Sequence, residues 1–292
     1  MSNYFDNKDV YIGPKMNQYG SHMVMTDVQR SIQTKYVTID TRFRDEYNDN
    51  FEVNYNVTLN ERINNVRSVS VTQVELPMFF YNISATLENN SFRVTNGVNS
   101  VVIKVPDGNY DLESLENSLQ TQFCAQCTTG PFLDLSMNIV DHKMEFFSTS
   151  FRTFDIDFGV DKNGDFSKYN FKSRLGWILG FRQQQITVDT NGTKGVALVN
   201  INTPRYMNLI VNEFNSRVNR DSLARIVLDR QKYPFGTILP ANLGNGYMES
   251  EYRTYDGKND LLKLNIRLED EYGRLINLNG HDISFHLRID HE

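Results

Sequence analysis

Phe51, Val53, Tyr55, Val57 and Leu59 alternate with Glu52, Asn54, Asn56 and Thr58. A period of two sends one set to a buried face and the other to water, so this stretch is predicted to be a strand. Asn60 to Asn65 are polar and turn-prone and predict a reversal of the chain. From Val66 to Leu76 the alternation returns and changes parity, with Val69 and Val71 on one side and Val74 and Leu76 on the other. One extra residue shifts parity without ending a strand, so a bulge is expected at Thr72 or Gln73, and Pro77 closes the run.

The same reading predicts strands at Ser91 to Thr95, Val101 to Val105, Asn138 to Val140 and Met144 to Ser148, the last two joined as a hairpin through Asp141, His142 and Lys143. More are expected at Phe154 to Phe158, Gln185 to Asp189, Tyr206 to Val211 and Ala224 to Leu228. The clearest alternation comes last. Leu262, Leu264, Ile266 and Leu268 form one buried face, and Ile283, Phe285, Leu287 and Ile289 another.

Helix is scarce. Asp111 is a good N-cap, and Leu112, Leu115, Leu119 and Phe123 follow at helical spacing. A second helix is predicted over Ser167 to Leu179, ending at Gly180. Residues 1–34 show neither period and predict a flexible N-terminal arm, with Tyr4, Phe5, Tyr11, Met16, Tyr19, Met23 and Met25 as possible anchors on a neighbouring subunit. Residues 35–292 then form a mainly β domain. It is expected to be an antiparallel β-sandwich of jelly-roll type, with elaborated loops and one or two short inserted helices. The pattern leaves open one decorated sandwich or two smaller ones divided near Asp161 to Lys172.

Composition supports strands. Among 292 residues there are 19 Phe and 15 Tyr against a single Trp, and aromatic side chains suit a pleated, half-buried surface. The net charge of −6 comes from 30 basic and 36 acidic residues without blocks of one sign, which argues against phosphate-driven nucleic-acid binding and against a polybasic membrane surface. No run reaches the ~18 apolar residues of a membrane span, and the first ten residues lack the apolar core of a secretory signal, so a cytosol-like compartment is expected. The sequons at Asn56, Asn82, Asn89 and Asn191 are read as by-products of an Asn-rich composition.

Candidate chemistry is thin. Cys124 and Cys127 form one C-x-x-C, but no second ligand pair accompanies it and it lies at the end of a helix, so two buried or half-buried thiols are expected. Asp161-Lys-Asn-Gly-Asp165 alternates oxygen ligands as a calcium loop does. Phe166 stands where that loop requires Gly, and Lys172 where it requires Glu, so a polar turn is the expectation. Asp155 and Asp157 share a strand face at roughly 6.6 Å, a spacing that usually means two solvated acids. His22, His142, His281, His286 and His291 have no visible nucleophile beside them. No nucleophile elbow, zinc helix, Walker loop or dinucleotide fingerprint is present. No catalytic, cofactor-binding or metal residue is assigned, no cofactor is expected, and the chain is read as a non-enzyme.

Several stretches together resemble virion proteins of nucleocytoplasmic large DNA viruses, the giant viruses. They are Tyr36-Val-Thr-Ile-Asp-Thr-Arg-Phe-Arg-Asp45, Asn65-Val-Arg-Ser-Val-Ser-Val-Thr-Gln-Val-Glu-Leu-Pro77, Asn89-Asn90-Ser-Phe92, Pro106-Asp-Gly-Asn-Tyr110, Leu175-Gly-Trp-Ile-Leu-Gly-Phe181 and Leu268-Glu-Asp-Glu-Tyr-Gly-Arg274. The resemblance runs in order over residues 35 to 290. It implies a structural component of an icosahedral capsid, a minor capsid protein or a jelly-roll penton, assembled in the host cytoplasm and residing in the virion. Its implied partners are the major capsid protein and copies of itself, with a pentamer as one form. Neither direct nucleic-acid contact nor a membrane span is implied.

The expected assembly contacts are Tyr4, Phe5, Tyr11 and Tyr19 of the arm, Arg42 and Arg44 where the arm enters the sandwich, and Tyr233, Phe235 and Tyr247 of the loop Gln231 to Tyr252. With Asp45, the two arginines are read first as an intrachain clamp, because an Arg fork holds carboxylates bidentately, and second as a contact between subunits. Exposed aromatics in the loop also suit sugar stacking. The competing reading is therefore a jelly-roll binding module for glycan or host protein.

Overall fold

The computed structural model describes residues 31–45, 53–127, 132, 134–167, 169–213 and 221–292. Gln33–Asp40 (β1), Asn54–Pro77 (β2), Tyr206–Glu213 (β10), Ala224–Val227 (β11), Ile238–Asn242 (β12), Met248–Ser250 (β13), Arg253–Asp270 (β14) and Ser284–His291 (β15) form one antiparallel sheet. Its order is β1-β15-β2-β14-β10-β11-β13, with β12 also paired to β2. The fold is mainly β and antiparallel, of the sandwich type that the alternation predicts.

The 24-residue β2 organises this sheet. Its first half lies along β14, and its second half lies between β15 and β12. Tyr55 and Val57 of the first half and Val74 and Leu76 of the second belong to the same buried cluster, so the sheet curls around one core. The parity change is a bulge at Thr72. Val71 faces Leu287 and Gln73 faces His286, and Thr72 has no opposite residue.

Asn60 to Asn65 do not reverse the chain. Ile63 and Val66 are buried, and β14 continues to pair along the stretch through three register shifts, with Asn65 at φ 52°. Cross-strand partners absorbed the extra residues as irregularities where local turn propensity predicted a corner. The same shifts reassign a core position, because Leu261 is buried and Leu262 is exposed. β14 and β15 do not pair with each other but flank β2 on opposite sides.

Between the two parts of this sheet the chain builds a second core. Ser91–Thr95 (β3), Ser100–Lys104 (β4), Phe154–Asp157 (β7) and Gln185–Val188 (β8) form a sheet in the order β4-β3-β7-β8. Leu135–Val140 (β5), Lys143–Ser148 (β6) and Thr193–Lys194 (β9) form another. The predicted first helix is Leu112–Cys127 (α1). The Asp111 carboxylate accepts the Ser114 N–H at 2.8 Å, and Leu115, Leu119 and Phe123 are buried. Four rings fill the centre, with Phe92 against Phe146 at 5.8 Å and Phe158 against Phe181 at 5.2 Å.

The second predicted helix shrinks to Leu175–Ile178 (α2), preceded by a 3-10 turn at Phe171–Ser173. Asn170 caps that turn, and Arg174 is extended at ψ 165°, which separates the two pieces. Gly180, at φ +93°, then passes so close to the Ala197 carbonyl that a Cβ would lie 2.1 Å from it. The stretch Asp161 to Lys172 runs between Phe158 and Leu175, which both belong to this second core, and marks no boundary. No helix among the described residues is long and apolar enough to cross a membrane.

Candidate assembly surface

Where β1 enters the sandwich, a polar clamp closes within the chain. Asp40 accepts Arg42 Nε on Oδ1 at 3.1 Å and Nη2 on Oδ2 at 2.6 Å, a bidentate pair that draws the carboxyl below its ordinary range. Arg44 is nearly buried and donates to the Thr41 carbonyl at 2.9 Å and to Asp282 at 3.4 Å. Asp45 accepts the Thr58 hydroxyl at 2.8 Å and lies 3.4 Å from Lys263. Both predicted arginines are thus brought together in an intrachain clamp, and Phe43 between them is left 75% exposed. Tyr4, Phe5, Tyr11, Tyr19 and the arm's methionines lie outside the described residues.

The stretch Gln231 to Tyr252, expected to be one loop, contains β12 and β13, because β2 and β11 pair with it, and its aromatics split between two places. Tyr233 and Tyr247 meet edge to face at 5.4 Å, and Tyr247 donates its hydroxyl to Asp229 at 3.2 Å. Lys232 lies over both rings. These two are half-buried and packed against the sandwich core. Phe235 points elsewhere and is exposed. It stands 6.1 Å from Tyr81 and 5.8 Å from Phe79, whose other side stacks on His281 at 3.6 Å. Four rings from three segments therefore form one surface row. Sequence reasoning found Phe235 but missed Phe79 and Tyr81, which follow the Pro77 that closes β2.

This row borders the joint between the two cores. Arg274 donates Nε to Asp270 at 2.7 Å and Nη1 to the carbonyls of Ser173 and Leu87, and both members of the ion pair are buried. Arg174, also buried, pairs with Glu88 at 3.0 Å. Asn82 donates to the carbonyls of Tyr110 and Ile201 and accepts the Tyr110 N–H, tying the chain's exit from the sandwich to its return. Arg230 reaches across from the sandwich to Asn109 and the Thr203 carbonyl, each at 2.8 Å, and desolvation lowers its pKa to about 10.

The remaining candidates settle into ordinary roles. Asp161 accepts the N–H groups of Asn163 and Asp165 with one carboxylate oxygen, as a polar turn does. Asp155 accepts the Thr187 hydroxyl, and Asp157 pairs with Arg93 at 2.9 Å. Cys124 is exposed, contrary to the expected burial, because it follows Phe123 around the helix onto the solvent side. The sequons at Asn82 and Asn89 are buried, with both amides committed to backbone carbonyls. Among the described residues no group of acids, histidines and cysteines is arranged to hold a metal.

No family model matches the chain, and no curated protein matches it. Among solved structures it is similar to a mavirus penton protein, at 10% identity and a TM-score of 0.43, over 89% of this chain and 99% of that one. It is also similar to a chain in the structure of the Sputnik virophage, at 14% identity and a TM-score of 0.39, over 88% of this chain and 98% of that one.

Proposed function

We propose that the chain is a structural component of an icosahedral virus capsid, a minor capsid or penton protein that acts by packing against its neighbours and carries out no catalysis. The observation that supports this reading is where the resembling stretches fall. Asn89 and Tyr110 bond to Asn82, and Asp270 pairs with Arg274, at the joint between the two cores, while Asn90 reaches Asp107 beside it. Tyr36 to Asp45 builds the entry clamp. The likeness is thus carried by residues that fix architecture, and an architectural likeness speaks to assembly.

The partners of this reading are the major capsid protein and further copies of the chain, a pentamer among the possible rings, and its place is the virion, built in the host cytoplasm. A closed ring needs heterologous contacts between unlike surfaces of one subunit. Exposed Phe43 at the entry and Phe151 and Val196 on the inserted core offer such unlike surfaces. Density of the intact particle at side-chain resolution tests the proposal. The chain is expected at defined capsid positions, and its presence in infected cytosol with none in purified particles would overturn the reading.

A further inference from the structure

We propose that the outer edge of β1 pairs with the same edge of a second copy of this chain, antiparallel about a two-fold axis at Val37, so that one sheet continues across two subunits. This goes beyond the capsid reading and does not depend on it. β1 is the end strand of its sheet and pairs with β15 alone, through eight consecutive residues without a register shift. Among the described residues no backbone bond reaches its other edge, so alternate N–H and carbonyl groups between Gln33 and Asp40 face outward with no strand beside them.

The other sheet edges are short, covered or interrupted. α1 packs beside β4 and β5, and Glu116 accepts the Ile139 N–H at 3.2 Å. Thr193 donates its hydroxyl to the Thr187 carbonyl of β8 at 2.8 Å, and β9 is only two residues long. β13 has three residues, and its Ser250 hydroxyl accepts the Val71 N–H at 2.9 Å. β12 carries Pro240, which has no N–H to offer. By contrast β1 has eight residues, no proline and no bulge, and Thr34, Tyr36, Val37, Thr38 and Ile39 favour extended pairing. Its single lysine, Lys35, is held by Glu61. A long, regular edge left bare is a template for another strand.

The exposed side chains of this segment favour the chain itself as that partner. Ile32 just before β1, Tyr36 within it and Phe43 just after it are 65%, 66% and 75% exposed. A foreign strand would have to bring apolar residues to all three places. A second copy brings them by symmetry, because an antiparallel two-fold sets the Ile32 end of each strand beside the Phe43 end of the other, as an isologous contact requires. Both faces of the sheet continue across the axis only if facing residues share parity. With Val37 on the axis, Tyr36 faces Thr38, Lys35 faces Ile39 and Thr34 faces Asp40, so neither charge of the strand meets its like. Val37, which packs against the sandwich core, then meets Val37 of the second copy on the inner face.

The test is sedimentation velocity of the full chain from about 2 to about 200 µM, the range suited to a small interface. The parent should double its mass reversibly as concentration rises. Tyr36→Glu with Thr38→Glu sets Glu against Glu twice across the axis and should weaken the doubling roughly tenfold or more. Tyr36→Glu with Thr38→Lys sets Glu against Lys twice and should keep it. Both positions are exposed, so circular dichroism of the two variants should match the parent. A parent that never doubles overturns the proposal, as does doubling that survives in the Glu–Glu variant or is lost equally in both. A five-membered ring without doubling would sink this inference and leave the capsid reading standing. Doubling by a chain missing from purified particles would do the reverse.

Discussion

Asp40 shows how much one local pair does and how it can be tested. The side-chain bonds from Arg42, foremost among its influences, hold its carboxyl below the model-compound value of 3.8. The unfolded chain therefore takes up the proton first as pH falls, and the stabilisation from Asp40 is present above about pH 4–5 and lost as pH drops through the folded value. Asp40→Asn should be less stable than the parent at pH 7, with the gap closing towards pH 2–3. Thermal melts across that range check it, and a gap independent of pH would refute it. The arginines of this clamp were legible in sequence because Arg42, Arg44 and Asp45 are close in the chain, but the carboxylate that Arg42 holds is Asp40 and not the expected Asp45, which takes Thr58 and Lys263. The Asp270–Arg274 pair was visible only as part of a resembling stretch, since nothing in its spacing reveals that Leu87 and Ser173 will cover it. Asp270→Ala strands a guanidinium that is 3% exposed, and urea unfolding should register a loss of ~3–5 kcal/mol. Replacing both partners, Asp270→Leu with Arg274→Met, should recover much of that loss, because no charge is then left buried.

Strands with one dry face were mostly legible, although β12, whose Leu239 and Ala241 are buried, was read as loop. Period-two alternation located most of them, and the Thr72 bulge followed from parity alone. Where the expectation failed, a distant partner outweighed a local signal. Asn60 to Asn65 look like a turn until β14 arrives beside them, and Ser167 to Leu179 carry helical spacing that the extended Arg174 interrupts. The backbone still records what the sequence preferred. Asn65 sits at φ 52° inside β2, a conformation that Asn and Gly tolerate and β-branched residues do not. Asn65→Gly should be close to neutral and Asn65→Val should cost about 1–2 kcal/mol, read from denaturant midpoints. In the hairpin between β5 and β6, Asp141 at φ 52° and His142 at φ 59° both occupy the left-handed region, as a type I′ turn requires. Asp141→Asn with His142→Gly places the favoured pair there and should raise the melting temperature by about 2–4 °C. An unchanged or lower melting temperature would show that the strain lies elsewhere.

At the scale of the whole molecule, the two buried clusters share no residue, and the contacts described between them are largely polar. Alternation could not reveal this division, because it reports a buried face without saying which core the face belongs to. The crossings lie near Asn82 and Ile201, where no Gly-rich linker marks them. Two apolar cores held by a polar joint will unfold together only if the joint contributes more than the difference between their separate stabilities. Asn82 is the natural place to ask the question. It is buried where the chain leaves the sandwich, and it binds the Tyr110 backbone and the Ile201 carbonyl, whose residues pack against the second core. Asn82→Ala leaves those backbone groups without partners at ~1–3 kcal/mol each, and that cost falls where the chain passes between the two cores. Calorimetry of the parent should show one transition, and the variant should show two. Hydrogen exchange should then report the amides of β3 and β7 opening apart from those of β2 and β15. A variant that melts in one transition at a lower temperature, with all four strands exchanging together, would mean that Arg274, Arg174 and Arg230 suffice to couple the cores.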